Sequence, residues 1–293
     1  MGYLFLAIAL LMGATKGYCG KRMGSYACDA RSAVLLNLLR MALCVAFGFA
    51  MVLLLGEPLR PSPALLGIAL LSGASTAVFV VAWLMAVRKS AYMLLDVFLM
   101  LGTLLPMLLG RMLFGEMIAW HQWLGYAVLL LAVMLLCAYN NAVKVRLNAP
   151  ALLLLIVSGL ANGVADFSQK LFVRALPEAS AAVFNLCTYV FAALALLLIL
   201  LFLPRGEKSP PAAGARCRYA YIAVMAAALI LNSYFKTLAA SHLSSAQLYP
   251  LNQGAGLILS SLMAHFLFRE RLTKKAVCGI ALAFTGLMIM NML

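Results

Sequence analysis

Ala86 to Gly125 runs AVRKSAYMLLDVF…LFGEMIAWHQWLG, and Ala240 to Gly279 runs ASHLSSAQLYPLN…LFRERLTKKAVCG. One shift of 154 positions superposes Ala86 on Ala240, Ser90 on Ser244, Phe114 on Phe268, Glu116 on Glu270 and Gly125 on Gly279. An internal repeat in so apolar a chain predicts an architecture of two copies around a central site.

The chain is 66% hydrophobic and 10% charged. Soluble domains sit near half apolar and a quarter charged, so this excess does not fit inside one globular core and must face lipid. The sequence is that of an integral membrane protein. The apolar run from Tyr3 to Ala14 lacks a basic leader; Lys21 and Arg22 follow it rather than precede it, and it reads as a first spanning helix rather than a signal peptide.

A spanning helix needs about 20 mostly apolar residues. Ten segments qualify, at roughly 3–22, 32–55, 63–87, 90–113, 119–140, 150–173, 178–203, 218–240, 244–267 and 273–293. No run alternates with a period of two, which argues against a β-barrel. The joins carry breakers: Pro58, Pro61 and Pro63; Asn140, Asn141 and Pro150; Pro177; and the polar stretch PRGEKSPPAAGAR from Pro204 to Arg216. The expected fold is an all-α integral membrane protein of ten transmembrane helices, built as two five-helix repeats over residues 1–148 and 149–293. A further alignment, Asn37 on Asn185, extends the repeat to its second helix. Because five is odd, the second copy enters the membrane from the opposite side, so the repeats are inverted.

The net charge of +14 follows topology rather than nucleic acid. Connections after the odd-numbered helices carry fifteen Lys and Arg residues, among them Lys21, Arg88, Lys144, Arg205 and Arg269; the opposite face carries Arg60, Arg111 and Arg174. Positive charge stays in the cytoplasm, which places both termini outside. Seven cysteines form no CxxC, and His121, His242 and His265 do not cluster, so neither a disulfide framework, a metal site nor another cofactor is expected.

The chain resembles the drug/metabolite transporter superfamily, of the EamA type with two repeats of five helices. The likeness rests on Phe114-Gly-Glu116…Gly125 and Phe268-Arg-Glu270…Gly279, on Ala86…Ser90-Ala91 and Ala240…Ser244-Ser245, and on Arg40 in the second helix. It implies a ten-helix carrier of small metabolites and covers nearly the whole chain. The usual Trp-Gly of the first helix is here Met12-Gly13, Asp96 stands opposite Pro250, and the family often has cytoplasmic termini.

A charge at membrane depth is expensive and so faces a cavity or a partner. The charged residues inside apolar segments are Lys16, Arg40, Asp96, Asp166, Lys170 and Lys236. Asp96 reads either as a proton acceptor or substrate counter-ion, or as an ion-pair partner of Arg40. Asp166 and Lys170, four apart on one helix, favour an intrahelical salt bridge. Lys236 either faces the site or snorkels, and snorkelling is the better reading for Lys16. Helix nine adds Gln247, Tyr249, Asn252 and Gln253 beside Pro250 and Gly254, the pattern of a helix bent at a site. Asn232 and Tyr234 are weaker candidates. Glu116 and Glu270 read as scaffold at helix N-termini, and Trp120 and Trp123 as interfacial anchors.

The expected substrate-binding set is therefore Arg40, Asp96, Asp166, Lys236, Gln247, Tyr249, Asn252 and Gln253. No GxxxxGK[ST] loop is present, so ATP hydrolysis within the chain is excluded as a power source. The expectation is a secondary transporter of an amino acid, another zwitterion or an organic anion, with Asp96 as the candidate proton coupler. A polyprenyl-phosphate or lipid flippase is the alternative, and an intramembrane enzyme would need a catalytic motif the sequence lacks. Expected partners are a small-molecule substrate and the bilayer, with no nucleic acid, for a monomer or homodimer in the cell membrane.

Overall fold

The computed structural model describes residues 1–24, 30–88, 98–139, 149–203, 215–268 and 274–291. Within them run ten helices: α1 (Gly2–Gly24), α2 (Ala30–Leu54), α3 (Pro63–Arg88), α4 (Leu104–Phe114), α5 (Trp120–Tyr139), α6 (Ala149–Ala175), α7 (Ala181–Phe202), α8 (Ala215–His242), α9 (Ser245–Phe268) and α10 (Lys274–Met290). No strand occurs among the described residues. The ten segments expected from sequence fall on these ten helices, nine of them with ends that differ by a few residues, while α4 covers only the latter part of the fourth.

Six helices, α1, α2, α3, α6, α7 and α8, are long and apolar enough to cross a membrane. Shorter apolar stretches cover Phe98–Phe114, Trp120–Leu135 and Val277–Met290. The fourth segment is not one continuous helix. A turn at Thr103 divides the stretch from Phe98 to Gly102 from α4. Pro106 is the local cause, because its ring and missing N–H conflict with the carbonyl of Gly102, four residues earlier. Thr103 settles the turn by donating from Oγ1 to the Met100 carbonyl at 2.7 Å.

The most extensive helix pairs are α1 with α8, α5 with α10, and α3 with α6, followed by α3 with α7 and α2 with α7. Small residues permit the tightest crossings. A Cβ at Gly102 would overlap the Gly159 carbonyl oxygen, and one at Gly163 would overlap the Gly102 carbonyl oxygen, so the fourth segment lies backbone to backbone on α6. The repeat-motif Gly125 does the same between α5 and α10, where a Cβ would lie 2.7 Å from the Gly286 carbonyl oxygen. The interior of α6 and α7 is closed by Phe172 and Phe184, stacked at 4.1 Å.

Exposed side chains along the helices are apolar, including Leu11, Leu53, Leu70, Leu131, Leu153, Leu198 and Phe202. Such a surface is costly in water and neutral in lipid. Trp120 is 76% exposed at the start of α5, which suits an interfacial anchor. The fold is that of a multi-pass, all-α membrane protein. Cys19 and Cys44 are buried as free thiols.

Candidate functional site

The long helices α1, α2, α6 and α8 bring charge to one interior region. Asp166 of α6 is 2% exposed, and Lys236 of α8 donates to its Oδ1 at 2.6 Å. Asn162, one turn back on α6, donates from Nδ2 to the other carboxylate oxygen at 3.4 Å. Tyr249 of α9 is fully buried and donates its hydroxyl to the backbone carbonyl of Asp166 at 2.6 Å. The acid is thus held from three helices, two through its carboxylate and one through its backbone.

Lys16 of α1 is half-buried and lies close enough to Lys236, Arg40 and Asp166 for their charges to act on it. Its amine thus stands within electrostatic range of the cluster, where the sequence favoured snorkelling. A helical position two turns from the end of α1 carries no mark of which way it faces. Arg40 of α2 is 5% exposed and donates from Nη1 to the Met225 sulfur at 3.7 Å. Beside them Asn232 donates to the Ala9 carbonyl at 2.6 Å, tying α8 to α1, and the Tyr189 and Ser233 hydroxyls meet at 2.5 Å.

The expected intrahelical bridge between Asp166 and Lys170 does not form. Lys170, 1% exposed, turns to Glu116 Oε1 at 2.8 Å and donates to the carbonyls of Ala240 at 3.1 Å and Leu243 at 2.6 Å. These carbonyls end α8, where the helix dipole is negative and a cation is favoured. Glu116 also accepts from Arg174 Nη2 at 3.2 Å and, through Oε2, from the Ser245 backbone N–H at 2.7 Å. Its carboxylate sits at the positive N-terminal end of α9, not on the following helix α5 as its place in sequence suggested. Gly115 at φ +64° closes α4 and turns the chain so that Glu116 points inward. Burial alone raises the Glu116 carboxyl; the bonds from Lys170 and Ser245 outweigh it and hold the group below the ordinary carboxylate value.

The other expected residues are less closely joined. Gln247 is half-buried and accepts from Ser244 at 3.2 Å. Asn252 and Gln253 are half-buried on α9, and neither bonds to the Asp166–Lys236 pair. Gly254 does not open a site: a Cβ there would press on Leu287 at 2.9 Å and Leu129 at 3.0 Å, so its smallness serves packing. Pro250 lies inside α9 as expected. Asp96 and Glu270 lie outside the described residues.

Two adjoining depressions of about 190 and 280 Å³ share Glu57, Glu178, Ala179 and Ser180, at the loops that join α2 to α3 and α6 to α7. The larger reaches down to Tyr234 and Thr237, the latter next to Lys236 in α8. Neither is lined by Asp166, Lys236, Arg40 or Lys16, so the ionic cluster lies outside both depressions.

Ten packed apolar helices with buried charges between them define a multi-pass, all-α membrane protein. Residues 149–292 match the model of the EamA-like transporter family. It is a family of transporters rather than of enzymes. A solved crystal structure superposes with a TM-score of 0.75 at 17% identity, covering 99% of this chain and 96% of that chain, which is a likeness of fold alone. No curated protein matches the chain.

Proposed function

We propose that the chain is a secondary transporter moving a small polar solute by alternating access, with its binding site around the Asp166–Lys236 pair. The family is one of membrane transporters. The observation that carries the site is a carboxylate and an ammonium 2.6 Å apart, with Lys16 and Arg40 beside them, inside helices long enough to span lipid. Buried ion pairs add little net stability compared with apolar packing, so their retention at membrane depth points to use. Arg40, Asp166, Lys236 and Tyr249 form the core of the proposed site, and Gln247, Asn252 and Gln253 line α9 beside it.

The two halves, 1–148 and 149–293, act as inverted five-helix repeats. The packing supports this. Exchanging each helix with the one five later turns the α1–α8 pair into α6–α3 and leaves α5–α10 and α2–α7 unchanged, and all four pairs are extensive. The aligned asparagines also make one and the same bond: Asn37 donates to the Ala33 carbonyl at 3.0 Å, and Asn185 to the Ala181 carbonyl at 2.8 Å. Charge asymmetry favours the cell membrane with both termini outside. Asp96 is the proposed proton acceptor that couples transport to a gradient.

Reconstitution tests the site. In proteoliposomes, Asp96→Asn leaves the dependence of flux on an imposed pH gradient lost, while Asp166→Asn abolishes flux with or without the gradient. Equal flux in all three proteins defeats the assignment.

A further inference from the structure

We propose that Arg40 and Lys16 form a receptor for an oxyanion, so that the solute carried is a small organic anion presenting a carboxylate or phosphate to the edge of the Arg40 guanidinium. This rests on the transporter reading above and narrows its substrate class.

Arg40 is buried, yet its Nε has no hydrogen-bond partner among the described residues. The bond it makes among the described residues goes to a thioether sulfur at 3.7 Å, a weak acceptor. A guanidinium withdrawn from water without a carboxylate is an unfavourable state that a bound anion relieves. Lys16 stands within electrostatic reach of it and pairs with no carboxylate among the described residues. Asp166 accepts from Lys236 and Asn162, and among the described residues it makes no hydrogen bond or ion pair with Arg40 or Lys16. Three cations then share one carboxylate among the described residues, leaving two positive charges uncompensated.

The chemistry of the unsatisfied group selects the ligand. The guanidinium edge is planar and offers parallel N–H donors that match the two oxygens of a carboxylate or phosphate. A cationic solute would add to the excess rather than relieve it. The charge is also one-sided in sequence. In the register that superposes Asn37 on Asn185, Thr188 stands where the first half has Arg40, and its hydroxyl too is buried without a partner among the described residues. The helices keep the same asparagine bond, while only one of them carries the cation.

Thermal unfolding of the purified full-length protein in detergent tests this, with succinate, inorganic phosphate and phosphatidic acid in mixed micelles as probes. Each is compared with chloride at matched ionic strength. Succinate or phosphate is expected to raise the melting temperature of the wild type, since a ligand of the folded state stabilises it. Arg40→Met is expected to erase that shift, and to melt no lower than wild type without ligand, because it removes an uncompensated charge. Arg40→Lys keeps the charge but not the planar edge, and is expected to weaken the probe about 10- to 100-fold, the range for a charge-assisted contact. A shift with phosphatidic acid alone, no shift with any probe, or a shift that survives in both Arg40 variants overturns the proposal. If the shift survives while the Asp166→Asn variant loses flux, the anion receptor is wrong and the transporter reading stands.

Discussion

Removing one member of the Asp166–Lys236 pair strands the other inside the helix bundle. Asp166→Asn and Lys236→Met are each expected to destabilise the fold by about 3–5 kcal/mol, the usual cost of breaking a buried pair. The double variant, which removes both charges, is expected to recover most of that loss; melting curves of the four proteins close the cycle. Glu116 gives a pH signature. Its carboxyl is held below the ordinary value, so its contribution is fully present above about pH 4.3 and is lost as pH falls through the lowered value. Glu116→Gln is therefore expected to lower stability at neutral pH and to flatten the acid limb of the stability curve. At this scale the sequence was partly legible. Asp166, Lys236 and Tyr249 stood out because polar groups are rare in apolar helices, and they do meet. The partner of Lys170 was not legible, because Glu116 lies 54 positions away and only the tertiary fold brings α8, α9 and the α4–α5 loop together.

At the scale of the elements, the helix crossings depend on missing side chains. Gly125→Ala places a methyl against the backbone of α10, and is expected to cost about 1–3 kcal/mol by forcing α5 and α10 apart. Gly67 in α3 has open space around it, so Gly67→Ala is expected to be neutral or stabilising by up to about 1 kcal/mol. Comparing the two melting temperatures separates packing from helix propensity. The existence of the ten helices was legible from apolar run length, and their joins from Pro and Asn clusters. The break at Thr103 was not anticipated, although Pro106 was in view; a proline near a segment's middle shows itself as a break only when its place in the helix is known.

At the scale of the whole molecule, the proposed repeat and the asymmetry of the charges together set a topology that can be tested. With both termini outside, a single cysteine replacing the exposed Glu178 in a cysteine-free background reacts with an impermeant thiol reagent added to intact cells. One introduced at Arg205 does not. The reverse pattern inverts the topology. The all-helical membrane fold was legible from the apolar runs, and the duplicated stretch is what suggests the proposed division into two copies of five helices. The site is less legible, since the polar residues proposed for it differ between the aligned stretches, as Arg40 does from Thr188 and Asp96 from Pro250. The most direct test is solute uptake by proteoliposomes from a defined metabolite mixture, comparing the wild type with the Asp166→Asn, Lys236→Met double variant. The wild type is expected to accumulate at least one small polar solute, and the folded double variant none above empty vesicles. Equal accumulation by both, or none by either, would contradict a carrier working through this pair.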